Sequence, residues 1–312
     1  MLKIVFHRVA MSIPLLLLVS AAAFVLIALL PGDAAHVVAG KNASIEQIAQ
    51  TRSQMGLDLP LWQQYTHWLG NAMHGNLGVS LVNRQPVAEQ LLGRLGPTLS
   101  LIVGATVLAA IVGMAFGILG ARGGFIGKIV DAIAVLGLAV PTFWLGLILV
   151  VLLAVKVNMF PALGYVPFQQ SPSQWLSSLV LPVITLTIPA TAAIAKQTRD
   201  AVADATEKPF IRTLRAAGVS EKSILLRHAL KNAAVPVLTV VGLTFVGALS
   251  GAVAIESIFA LPGLGGTAVQ ATASGDVPLI QGVVLFFTVI VIVVNLIVDI
   301  AYGYFNPKVR VS

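Results

Sequence analysis

Six stretches of this chain are apolar for about the twenty residues that a helix needs to cross a bilayer, at roughly 9–30, 97–120, 129–155, 177–197, 233–255 and 279–302. That pattern constrains everything else. The hydrocarbon layer offers no water to backbone N–H and C=O groups, so a spanning segment satisfies them itself, as a helix or a closed barrel. The runs are continuous rather than short stretches of alternating polarity, which selects the helix. The expected class is an all-α polytopic membrane protein with six transmembrane helices. With 57% hydrophobic and only 10% charged residues among 312, the chain lacks the charge to cover a soluble surface of that size. Lys3 and Arg8 precede the first run as they would in a signal peptide. The run nevertheless exceeds an h-region of about 7–15 residues, and it is expected to remain as the first span.

The net charge of +7 is read through its placement. If the N-terminus is cytoplasmic, six spans return the C-terminus to the same side. Fourteen of the nineteen Lys and Arg then lie inside, and Lys41, Arg52, Arg84, Arg94 and Lys156 lie outside, as the positive-inside rule expects. The basic balance therefore reports topology and contact with membrane lipid, and no nucleic-acid partner is expected. The chain has no cysteine, which excludes disulfides, thiol nucleophiles and thiolate metal sites.

Catalytic and metal-binding constellations are poor. His67 and His74 lie seven apart without further ligands nearby in sequence, so no metal site is expected. Gly127-Lys128 superficially suggests a phosphate loop, but Arg122 replaces the required earlier glycine and Ile129 the Ser or Thr. No ATP site is expected here. No ionisable residue falls clearly at mid-bilayer, where proton-driven carriers often place a carboxylate. Asp131 and Asp299 are read as solvated helix ends.

The chain divides into residues 1–95, the first span with a large external segment, and 96–312, the remaining five spans with their loops. In the external segment, Ser44 is placed to cap a helix. Downstream, Leu61, Tyr65 and Trp68 share a helical face that suits the membrane–water boundary. Residues 156–176, with Pro161, Pro167 and Pro172, and residues 256–278, rich in Gly and Pro, read as irregular connections. Pro141, Pro182, Pro189 and Pro236 lie inside spans, where each favours a kink.

One segment is out of keeping with the rest: PFIRTLRAAGVSEKSILLRHALK, from 209 to 231, is basic, helix-forming and set between two spans. Pro209 suits a first helical turn. Phe210, Leu214 and Ala217, joined by Ile211, form an apolar face, with Arg212 and Arg215 off it. Gly218 is placed to end the helix in the left-handed conformation. Ser220 suits a new N-cap, and Glu221 complements the next helix dipole. Such a helix lies on anionic headgroups or inserts into a protein groove. Its two-turn face is short for membrane binding and suits the groove.

At this hairpin the chain resembles a known family. RTLRAAGVSEKSILLRHALKNAAVPVL is similar to the cytoplasmic "EAA" loop of permease subunits from binding-protein-dependent ABC importers, and more narrowly to the dipeptide/oligopeptide/nickel permeases. LLPGD at 29–33, MGLDLPLWQQY at 55–65, GNLGVSLVNRQPV at 75–87, VPTFWLGL at 140–147, FPALGY at 160–165 and ESIFALPGLG at 256–265 follow the family's order over nearly the whole chain. Arg212-Thr213-Leu214 stand where the generic Glu-Ala-Ala would be, and Pro209-Phe210 depart from the acidic-aromatic pair of the first turn. The resemblance implies a type I importer permease in the bacterial inner membrane, with cytoplasmic termini. It would pair with a second homologous permease, two ATPase subunits that bind ATP and Mg, and an external solute-binding protein. The chain itself would be no enzyme and hold no cofactor. Phe210, Ile211, Arg212, Leu214, Arg215, Ala217 and Gly218 would form the coupling helix seated on an ATPase, with Phe210, Ile211 and Leu214 filling its groove and Arg212 and Arg215 at the polar edge. Glu256, Phe259, Pro262, Gly263 and Asp276 are candidates for an external gate or solute-facing loop, with ordinary loop solvation as the other reading of Glu256 and Asp276. The implied solute is a peptide; nickel, glutathione or another small solute on the same architecture, or a stand-alone carrier, are the alternatives.

Overall fold

The computed structural model describes residues 2–29, 34–40, 42–121 and 123–305. The expectations placed on 30–33, Lys41, Arg122, Lys308 and Arg310 lie outside the described residues. Twelve helices run in order among them. The N-terminal ones are α1 (Leu2–Ala28), α2 (Ala34–Ala39), α3 (Ile45–Gln54), α4 (Leu61–Met73) and α5 (Val87–Gly120). Then come α6 (Gly124–Ala139), α7 (Thr142–Lys156), α8 (Pro172–Glu207), α9 (Pro209–Ala216) and α10 (Glu221–Ile258). The chain continues with α11 (Leu264–Ser274) and α12 (Val277–Phe305). No strand forms among the described residues, apart from one isolated bridge between Val79 and Pro86.

Among the described residues, five helices can cross a membrane by length and composition, and α6 with α7 supplies a sixth span if the bent pair counts as one. The third span expected over 129–155 is therefore a bent pair, turning by 95° at the break where Pro141 is expected to favour a kink. Val140 sits at φ −83°, ψ 124°, the extended region into which a following proline forces its neighbour. Helix continues through Pro182, Pro189 and Pro236, so of the four prolines only Pro141 interrupts its run. The connection expected to be irregular from 256 to 278 also contains α11, hidden in sequence by its small residues.

The chain forms two compact units, one of His7–Thr98 with Pro262–Ile292, the other of Leu99–Leu261 with Val293–Ser312 and Met1–Phe6. In the first, the predicted interfacial helix α4 lies on α1. Tyr65 meets Phe24 edge-on at 5.6 Å and stacks with Trp68 at 6.1 Å. Its hydroxyl pairs with Ser20 Oγ at 2.9 Å and donates to the Leu17 carbonyl at 3.2 Å. Ser44 caps α3 as expected, and Gln47 closes the capping box, its Oε1 accepting from Ser44 N–H at 2.8 Å.

In the second unit α8 is the centre. Of its most apolar 18 residues, 61% are buried, against 33% for α10 and 39% for α5. Helices approach it closely because they present glycine. Gly113 and Gly117, four apart on α5, face Ile194 and Thr198; a Cβ at Gly113 would lie 2.9 Å from Ile194 Cβ, and one at Gly117 only 2.7 Å from the Ala195 carbonyl. A Cβ at Gly137 on α6 would meet Ala192 at 2.9 Å. Small residues at such crossings let backbones make the van der Waals contacts that hold membrane helices together. Arg199 of α8 forms an ion pair with Asp131 of α6, so Asp131 is not simply a solvated helix end.

Replacing Gly117 by Ala is expected to destabilise the purified protein by about 1–3 kcal/mol, the usual cost of forcing extra atoms into a closed contact. Gly96→Ala, where a Cβ meets nothing within 4 Å, serves as the control. Thermal aggregation in detergent measures both, and equal midpoints for the two variants would contradict the close α5–α8 contact.

Candidate functional site

The basic segment folds as two helices at an abrupt corner. α8 ends at Glu207, and Lys208 turns extended at φ −63°, ψ 145°, again the preference of a residue that precedes proline. Pro209 then opens α9. At the other end Gly218 takes φ +76°. Val219 N–H donates to the Leu214 carbonyl and Gly218 N–H to the Arg215 carbonyl, each at 3.0 Å. Together they form the paired bonds of a Schellman stop. Ser220 is extended at the start of α10, but its side chain makes no capping bond, contrary to expectation.

The Glu221 carboxylate accepts from Arg215 instead, from Nε at 2.6 Å and from Nη2 at 3.1 Å. This two-pronged pair closes the loop between the helices. The hydrogen bonds from Arg215 hold the Glu221 carboxyl below its ordinary range, and the same bonds raise Arg215. Both side chains face solvent, so the pair fixes direction more than it adds stability. It also corrects one expectation: Arg215 is engaged within the hairpin, while Arg212 makes no ion pair among the described residues.

The apolar face divides in the same way. Ile211 is fully buried, so it anchors α9 to its own chain and fills no groove on a partner. Phe210 is 37% exposed, Leu214 half-buried and Ala217 exposed. Beneath them, Ala201, Val202 and Ala205 at the end of α8 pack with Ala229, Ala233 and Val237 of α10. Within α10, residues Ile224–Ala229 wind in wider π-helical turns. The cavity beside the pair, about 610 Å³, is lined by Thr206, Arg215, Glu221, Lys222 and Ile224, among others. Nothing here is arranged for covalent chemistry. The corner offers a short, rigid apolar edge with a free cation beside it. Opposite charges flanking a glycine turn, as at Arg215 and Glu221, are the sequence signal that would have revealed the pair.

The second set of candidate residues is placed differently. Glu256, Phe259, Gly263 and Asp276 are all buried, and only Pro262 is exposed, so the loop-solvation and solute-facing readings of Glu256 and Asp276 are both corrected. Phe259 packs near Gly146, where a Cβ would lie 3.4 Å from its ring, and its carbonyl accepts from Gly164 N–H at 2.9 Å. Ala260 is left-handed at φ +50° and, with Leu261 N–H bonded to the Glu256 carbonyl at 2.9 Å, ends α10. Asp276 caps α12, accepting from Leu279 N–H at 3.4 Å, and takes a second N–H bond from Leu81 at 3.1 Å and the Ser80 hydroxyl bond. Ser80 lies 196 residues away, which is why sequence adjacency gave no sign of the clamp. Among the described residues no group of His, Asp and Glu could hold a metal; His74 Nδ1 lies 2.8 Å from the Gly70 carbonyl of its own helix.

Comparison with known proteins places this arrangement. Residues 113–311 match the family described as binding-protein-dependent transport system inner membrane component, and residues 1–102 match the corresponding N-terminal component. Over 312 residues, 99% of each chain, the sequence is 41% identical to a Brucella abortus (strain 2308) protein named for a peptide transport system permease. It is 38% identical, over the same shares, to the glutathione transport system permease protein of Escherichia coli (strain K12). Among solved structures, a chain of the MetNI methionine ABC transporter in inward-facing form has a similar fold. The TM-score is 0.56 over 70% of this chain and 97% of that one, at 18% identity.

Two outcomes follow. Asp276→Ala leaves three donors without their acceptor and is expected to destabilise the protein by about 1–3 kcal/mol, whereas Asp276→Asn, which keeps an oxygen there, loses less; equal melting of all three proteins would contradict the clamp. At the hairpin, the folded pKa of Glu221 lies below its unfolded value, so the pair is present at neutral pH and lost as pH falls through the depressed folded value. A spin label at Ala217→Cys, in a chain with no other cysteine, should keep constant mobility until the pH falls below the ordinary Glu value of about 4.3. Adding Glu221→Gln should raise its mobility at neutral pH, and loosening of the parent near neutrality would contradict the assignment.

Proposed function

This chain belongs to the inner membrane components of binding-protein-dependent transport systems, and from that premise we propose that it forms half of a translocation pathway for small peptides, driven through α9 by a separate ATPase. The protein is a multi-pass inner membrane permease of the ABC importer kind. Its proposed partners are a second homologous permease, two ATP-binding subunits that carry ATP and Mg, and an external solute-binding protein that delivers the solute.

The observation that carries the coupling is the build of α9. Its helix is bounded sharply at both ends, held by Ile211 inside the chain and by Arg215–Glu221 across the loop, and it presents Phe210, Leu214 and Arg212 outward. A helix made this rigid transmits a push to α8 and α10 instead of flexing. When nucleotide binding brings the ATPases together, paired α9 helices move with them and rock the spans between inward-open and outward-open forms. The peptide assignment is supported by the full-length relatives named for peptide and glutathione transport. Both names describe short chains of amide-linked residues, so one solute chemistry covers them.

Leu214→Asp is expected to uncouple the system. In proteoliposomes with its co-purifying ATPase and binding protein, solute-stimulated transport should fall at least about tenfold, the effect of losing roughly 1.4 kcal/mol at the contact, while the permease still folds. Thr213→Asp, an exposed change between the presented residues, should cost less. Undiminished transport by Leu214→Asp would overturn the coupling role of α9, and an assembled complex that neither transports nor is stimulated by any di- or oligopeptide would overturn the solute class.

A further inference from the structure

A cavity of the second unit, about 730 Å³, runs along α10 from Leu226 to Val241 and is lined also by Ala110 and Met114 of α5 and Tyr304 of α12. Its floor is apolar. Its one charged end carries Arg227 and Lys231, spaced i, i+4 on the same helical face, both exposed. Neither makes an ion pair among the described residues. From Arg227 to Val241 the groove runs along fourteen residues of helix, about 21 Å at 1.5 Å per residue. The hydrocarbon of one leaflet is roughly half of 30 Å.

From this juxtaposition we infer a binding site for one anionic phospholipid, its phosphate between Arg227 and Lys231 and an acyl chain along Ala234 and Leu238. The inference is independent of the proposed peptide solute and of ATPase coupling. Charge complementarity selects the occupant. An apolar helix from another chain would fill the groove but leave two cations uncompensated, and a free phosphate would answer the cations but leave the groove to water. Anionic headgroups attract each nearby Lys or Arg, and only a lipid joins that headgroup to hydrocarbon. The lipid would sit beside the α9–α10 corner, since Leu226 lines both this groove and the Arg215–Glu221 cavity.

Native mass spectrometry of the full chain with its co-purifying subunits, titrated with phosphatidylglycerol or with phosphatidylethanolamine of the same chains, tests this. Wild type should retain one phosphatidylglycerol per permease chain in preference to phosphatidylethanolamine. Arg227→Gln with Lys231→Gln should weaken phosphatidylglycerol about 25-fold, some fivefold for each cation. Ala234→Trp should also expel it with both cations in place, and Lys222→Gln, a cation outside the groove, should change nothing. No retention by wild type would overturn the site. So would equal binding by the double variant, indifference to Ala234→Trp, or an equal loss with Lys222→Gln.

Discussion

A hydrocarbon layer about 30 Å thick accommodates some twenty residues of helix, and α8 has 36, about 54 Å at 1.5 Å per residue. Much of the architecture follows from that excess. The apolar part, 177–197, is surrounded by α5, α6, α7 and α10 through glycine contacts. The following ten residues, TRDAVADATE, continue as the same helix beyond the apolar zone. They alternate buried Thr198, Ala201, Val202 and Ala205 with charged side chains, so the extension is itself packed on α10 and cannot flex freely. α9 is carried at its tip, and a displacement there acts on the central helix of the unit.

The energetics of that tip are unequal in kind. Burying Ile211 contributes about 1.5–3 kcal/mol, and the alanine contacts between α8 and α10 add dispersion over a close interface. The Arg215–Glu221 pair is exposed and screened, and it serves chiefly to set the angle between α9 and α10. The glycine stop has no Cβ to object to φ +76° and lets the turn be made in two residues. A rigid corner with a small outward face is what the coupling proposed for α9 needs. The wider π turns at Ile224–Ala229 follow at once, and such turns are frequent at functional sites.

Much of this was legible in sequence because it is local. Hydropathy found the spans, Gly218 announced its stop, Ser44 its cap, and Pro209 its first turn. The aromatic spacing of Tyr65 and Trp68 predicted an interfacial helix, whose partner is α1. What escaped was set by partners distant in the chain. Asp276 and Glu256 look like loop carboxylates until Ser80 and Leu81 supply the donors for one and the packed end of α10 encloses the other. Asp131 finds Arg199 across 68 residues. Amphipathic reading gave α9 an outward face including Ile211, because periodicity reports which residues share a side and not which side is already covered.

The most direct test of the account is a photocrosslink. With a benzophenone amino acid at Phe210, then separately at Ser257 on the far end of α10, the intact complex is irradiated and its adducts identified. The account predicts an adduct from position 210 to the co-purifying ATPase, strengthened or weakened by nucleotide, and none from position 257. An ATPase that co-purifies yet is labelled only from elsewhere, with position 210 reacting with lipid alone, would contradict the seating of α9 on a motor subunit.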